Sequence, residues 1–158
     1  MDLNYRLYLE RAENELYLSE IIFEISKNEK IQKDIFNLPK SQTFYSSVIS
    51  HSYYVIFYSA KSYLLKNGIK TKAPEEHKKT YEEFEKLVKR GIIDLELFNY
   101  YKELYIKAET LLEIFGNEKQ KRGNFTYKTL PQANIEPSRQ SLNNAKLFFK
   151  HIYNLLEN

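Results

Sequence analysis

The chain has 158 residues, 24 basic against 21 acidic, for a formal net charge of +3. That length is one domain's worth, and with Cys at 0 it excludes a disulfide framework, a thiolate metal site and a cysteine nucleophile. With 4 Gly and 4 Pro there are too few turn-formers for the tight reversals of a sandwich or barrel. No stretch approaches the roughly 20 uncharged apolar residues of a membrane span. The opening, MDLNYRLYLERAENE, is charged throughout, so the expectation is a cytoplasmic protein that makes no use of a membrane. Abundant Lys, Glu, Ile and Tyr with scarce Met give a thermophile-like usage.

Helical spacing runs through the whole chain. In the first helix Tyr5, Leu9, Ala12, Leu16 and Phe23 share a face, widened by Leu18, Ile22 and Ile25. A second runs from about Ser41 to Asn67 on Ile49, Tyr53, Ile56, Ala60 and Tyr63, with Ser41 as N-cap and Gly68 as the stop. A shorter third follows Pro74, carries Tyr81, Phe84 and Val88, and ends at Gly91. The fourth starts near Asp94 with Leu97, Tyr101, Leu104, Ala108, Leu111 and Phe115 on one face. The last follows Pro137, with Ser138 as N-cap and Leu142, Ala145, Phe149, Ile152 and Leu156 on the seam.

Four long stripes plus one short one predict an all-α fold, an antiparallel up-and-down helical bundle over residues 1–158 as a single domain. Each long stripe carries one alanine on its seam, at Ala12, Ala60, Ala108 and Ala145, where helix axes can approach closely. The predicted buried set is Leu16, Ile56, Ala60, Leu104, Ala108, Leu111, Ala145 and Phe149. The one long irregular stretch is 123–137, which makes it the first place to look for function.

Charge is unevenly spread. Residues 61–90 hold 9 bases and 5 acids, and 116–128 hold 4 bases and 1 acid, whereas 1–30 and 91–115 are acidic. A one-sided basic surface suits a phosphate-bearing partner, although the 61–90 run also reads as a solvated Lys/Glu face. His51, His77 and His151 lie in different helices without a paired ligand one turn away, so no metal and no cofactor is expected. The isolated glycines form no phosphate loop. Most of the 14 Tyr and 10 Phe fall on stripes and read as core, with Tyr54, Tyr58 and Tyr127 standing off them. Lys119, Lys121 and Arg122, followed by Gly123, Asn124, Thr126 and Tyr127, combine cations with flexible backbone and hydrogen-bonding groups. The same cations also suit the negative end of a helix dipole.

Taken together, the chain resembles the HEPN domain family. Ala12-Glu13-Asn14-Glu15-Leu16 looks like its first helix. The run from Ser50-His51-Ser52-Tyr53-Tyr54 through Phe57, Ala60, Leu64-Leu65 and Gly68 looks like its second. His77, Phe84 and Gly91 resemble the short third helix, and Ser141-Leu142-Asn143-Asn144-Ala145 through Phe149 the closing one. The resemblance implies a bundle that dimerises, and RNA cleavage as the toxin half of a toxin–antitoxin pair. In other members it implies nucleotide or nucleic-acid binding, or a small nucleotidyltransferase as partner.

The family's ribonucleases place Arg, a short gap and then His near the end of the fourth helix. Here Arg122 is followed after four residues by Tyr127, so the Arg matches and the His does not. A phenol with a pKa of about 10 is a poor proton shuttle at pH 7. The resemblance therefore implies a nucleic-acid or nucleotide-binding protein with ribonuclease activity weak or absent. Arg122, Lys119, Lys121 and Asn124 would bind phosphate, and Tyr127 would stack or hydrogen-bond. His51, just before the Tyr-Tyr pair where relatives carry a basic residue, joins this set. A homodimer with its two-fold near the second and fourth helices would bring two copies of 121–127 together. The alternative is a helical subunit that docks a nucleotidyltransferase antitoxin and offers Tyr127 as nucleotide acceptor.

Overall fold

The computed structural model describes residues 4–111 and 134–158. Among them are six helices and no strand: α1 (Asn4–Lys27), α2 (Glu29–Asp34), α3 (Tyr45–Lys66), α4 (Glu76–Lys89), α5 (Leu95–Leu111) and α6 (Ile135–Glu157). The expected Phe115 and most of the 123–137 stretch lie outside the described residues.

Helix α1 buries Tyr5, Leu9, Ala12, Leu16, Ser19, Phe23 and Ser26, one residue per turn along a single stripe. That stripe packs on α3. Ser62 Oγ donates to the Tyr5 carbonyl at 2.6 Å, Ser19 Oγ to the Val48 carbonyl at 3.0 Å, and the Phe44 amide to Ser26 Oγ at 2.8 Å. Numbers rise along one helix as they fall along the other, so this pair runs in opposite directions. The same holds for α5 and α6, where Lys107 meets Ser141 and Asn144 meets Glu103. All four seam alanines are fully buried, as expected.

The helix ends follow local chemistry. Gly68 at φ +79° and Gly91 at φ +73° stop α3 and α4. In each case the next amide reaches back to the last turn, Ile69 to the Leu64 carbonyl and Ile92 to the Leu87 carbonyl, both at 2.9 Å. Helix α2, which periodicity did not announce, starts because the Asn28 side chain accepts from the Ile31 amide at 3.0 Å. Its Gln32 is buried and fastens the connection to α3. The side-chain amide donates to the Ile25 and Gln42 carbonyls at 2.7 and 2.8 Å, and its oxygen accepts from the Gln42 amide at 2.9 Å.

Four expectations need correction. Ser41 does not cap α3; its hydroxyl donates to Glu29, and with the backbone held by Gln32 and Ser26 the helix begins only at Tyr45. Ser138 does not cap α6 either. The helix starts at Ile135, before Pro137, because amides of the first turn have no intrahelical acceptor and proline loses nothing there. Ser138 is buried, with its hydroxyl on the Ile135 carbonyl at 2.9 Å. On the α6 seam Phe148, not Phe149, is fully buried, its ring 5.5 Å from Phe84 and 5.8 Å from Tyr101. Phe149 and Leu111 pack half-buried against the core; Leu16, Ile56, Ala60, Leu104, Ala108 and Ala145 are buried as expected.

Packing this close is sensitive to both volume and polarity. Ala108→Leu should cost roughly 1–3 kcal/mol by overpacking, read as a lower urea midpoint. The Tyr101 hydroxyl is buried with no partner among the described residues. Tyr101→Phe should therefore be neutral or stabilising by about 1 kcal/mol; a clear loss of stability would mean the hydroxyl is satisfied.

Candidate functional site

The first half of α1, the last half of α3 and the segment 69–72 enclose a cleft of about 820 Å³. Lys61 lies at its base, only 8% exposed although charged. Its ammonium donates to the Thr71 carbonyl at 3.1 Å and pairs with Glu76, and it sits 4.9 Å from the centre of the Tyr8 ring. These bonds tie the connecting segment to α3. Thr71 is held a second time, by its hydroxyl 2.6 Å from that of Thr80.

Arg11, Lys70 and Lys72 also line the cleft, against Glu10 and Glu15. Arg11 lies over the Tyr58 ring at 4.8 Å, and neither Arg11 nor Lys72 has a carboxylate at ion-pair distance among the described residues. Burial, and then the charge of Arg11, push the pKa of Lys61 down from its ordinary value. Of these cations Lys61 alone is buried, and there the lower local dielectric strengthens its electrostatic contacts.

Behind Lys61, His77 joins α4 to α3. Its Nδ1 is 2.8 Å from the Tyr53 hydroxyl, and its ring stacks on Phe57 at 4.0 Å. Burial and the nearby Lys61 charge push its pKa down to about 4, so the imidazole is neutral. Tyr53, Tyr54 and Tyr58 are all pushed up, burial being the first cause, and stay as phenols.

From the cleft a row of rings leads along α3. Tyr8 stacks on Tyr58 at 6.1 Å, and Tyr58 on Tyr54 at 5.9 Å. At the far end His51 Nδ1 is 2.5 Å from Glu15 Oε2, with the two side chains 29% and 21% exposed. A carboxylate on one ring nitrogen fixes the imidazole's orientation.

Of the residues singled out in the sequence, the structure places His51 beside this row, partnered by an acid. Lys119, Lys121, Arg122, Asn124 and Tyr127 lie outside the described residues. The residues that sequence reasoning missed are Arg11, Lys61 and Lys72. The signals for the two lysines were the positive balance of 61–90 and a lysine next to Ala60 within an apolar helix; Arg11, in the acidic 1–30, gave none. No group of three metal-ligating side chains comes together among the described residues, and none of their helices is long and apolar enough to cross a membrane. Compared with protein-family models, curated proteins and solved structures, the chain matches none.

The His77 environment predicts an acid-sensitive fold. An unfolded histidine titrates near 6.5, so between that value and about 4 the unfolded chain binds the extra proton. Stability from this site is complete above pH ~6.5 and falls as pH drops toward 4. Urea midpoints measured at pH 7, 6 and 5 should decline, and His77→Gln, which keeps a partner for Tyr53, should flatten the decline. An equally steep decline in the variant would assign the effect to other groups.

Proposed function

We propose that the chain is a HEPN-type protein that binds nucleic acid or nucleotides as a cytoplasmic homodimer, with ribonuclease activity weak or absent, in a toxin–antitoxin or defence system. One observation carries the binding reading: a nucleotide-sized cleft brings Arg11, Lys61 and Lys72 beside the Tyr8 ring. Cations for phosphate next to a ring for a base are the two parts of sequence-tolerant nucleic-acid binding. The opposed pairs α1–α3 and α5–α6 suit an antiparallel up-and-down bundle, with the Tyr53-Tyr54 run on its innermost helix. Weak cleavage follows from Tyr127 standing where the family's proton carrier would be. In this reading Arg122, Lys119, Lys121 and Asn124 add a second group of phosphate contacts, doubled by the dimer.

Arg122→Ala should weaken binding to a single-stranded RNA and flatten its salt dependence, by about 0.7 in the slope of log K against log salt for each lost phosphate contact. Tyr127→Phe should leave binding nearly intact and lower any cleavage. A wild-type protein that neither binds nor cuts RNA at about 50 mM salt would overturn this reading. The docking of a nucleotidyltransferase, with Tyr127 as acceptor, would then take its place.

A further inference from the structure

The cleft differs from an open basic surface in how its cations are mounted. Arg11 comes from α1, Lys61 from α3 and Lys72 from the segment between α3 and α4, so three separate elements converge on one hollow. Lys61 is buried, and its ammonium uses two of its three N–H groups on the Thr71 carbonyl and Glu76. The third has no acceptor among the described residues. Arg11 is aligned by the Tyr58 ring beneath it, which leaves its N–H fork unpaired. Glu76 pairs with Lys61, and Glu10 and Glu15 line the hollow, while Arg11 and Lys72 have no carboxylate at ion-pair distance among the described residues. The lining also includes the Tyr8 ring, with the Lys61 ammonium 4.9 Å from its centre, and the apolar Leu65 and Ile69.

Cations interleaved with a ring and aliphatic side chains in one hollow of about 820 Å³ suit a small ligand with an anionic head and a planar body. Several cations around one point favour a dianion over a monoanion, since each added charge is felt by all of them. A terminal phosphate monoester carries up to two charges near pH 7, whereas the diester within a strand carries one. We infer that the cleft is a terminal-phosphate nucleotide site, with the phosphate monoester among Arg11, Lys61 and Lys72 and the base on Tyr8. This rests on the binding reading above and narrows it: the ligand is a free nucleotide or the 5′-phosphorylated end of a strand, and not the interior of one.

The test is calorimetric titration of the full chain with AMP, adenosine, and an eight-nucleotide RNA bearing either a 5′-phosphate or a 5′-hydroxyl. AMP should bind at least about tenfold more tightly than adenosine. Arg11→Gln and Lys72→Gln, both at sites that leave the core untouched, should each weaken AMP about tenfold. Competition between AMP and the 5′-phosphorylated RNA would assign the ligand to a strand end, and its absence to a free nucleotide. AMP binding unchanged in both variants would overturn the inference. So would binding of the 5′-hydroxyl RNA without binding of AMP, which leaves the RNA-binding reading standing. AMP binding that the variants weaken, with no RNA bound in either form, would keep this site and remove the RNA reading. Binding of neither nucleotide nor RNA would remove both.

Discussion

Thirteen of the 22 residues of α3 are buried, leaving a half-exposed stripe at His51, Tyr54 and Tyr58, so the polar groups on the buried faces have to be answered from within the protein. The serines do this with the closest backbone to hand: Ser59 on the Val55 carbonyl and Ser62 on the Tyr5 carbonyl, both at 2.6 Å, and Ser52 on Ser19 at 2.9 Å. Because they are small, α1 can approach where Ala12 and Ala60 also lie. The larger polar groups need partners from further away. Tyr53 takes His77 from α4, and Lys61 takes Thr71 and Glu76. Enclosing one helix therefore dictates where α1, α4 and the segment 69–72 must sit.

That arrangement concentrates cost at Lys61. A buried ammonium loses hydration worth several kcal/mol, and replacing such a pair by apolar side chains is often neutral or stabilising. Stability alone does not explain a lysine in this position. The same ammonium raises a further cost at His77, whose imidazole is held neutral partly by the Lys61 charge. An anion in the cleft would offset both, since it would stand against Lys61 and Arg11 together. Glu76 already offsets part of this cost within the chain, and the proposed ligand would add to that offset.

The fold was legible wherever a single residue decides a local structure. A glycine that takes φ near +75° ends a helix whatever surrounds it, and both Gly68 and Gly91 did so. The seam alanines were legible because a single small side chain in a stripe of large ones marks where two helix axes come close. Legibility failed where the partner is remote. Ser41 and Ser138 have the right chemistry for caps, but Gln32 and the first turn of α6 claim the backbone around them. Phe148 and Phe149 are adjacent and equally apolar, and only the position of Phe84 and Tyr101 selects between them. The cleft was hidden for the same reason. Arg11 lies in the acidic 1–30, far in sequence from Lys61 and Lys72, whose region reads equally well as a solvated Lys/Glu face.

Chemistry at the cleft is limited by what can titrate there. A proton carrier must change charge near the operating pH. His77 is excluded from that role by burial and by Lys61, and its Nδ1 is occupied by Tyr53. The phenols of Tyr54 and Tyr58 are pushed further from neutrality by burial. His151 lies on the exposed side of α6, and it is His51, on Glu15, that stands beside the ring row. With Nδ1 taken by the carboxylate, only its other nitrogen remains to meet a ligand. At the cleft itself Glu10 and Glu15 stand among Arg11, Lys61, Lys72 and the Tyr8 ring. Among the described residues, then, burial holds His77, Tyr54 and Tyr58 in their neutral forms beside the cleft.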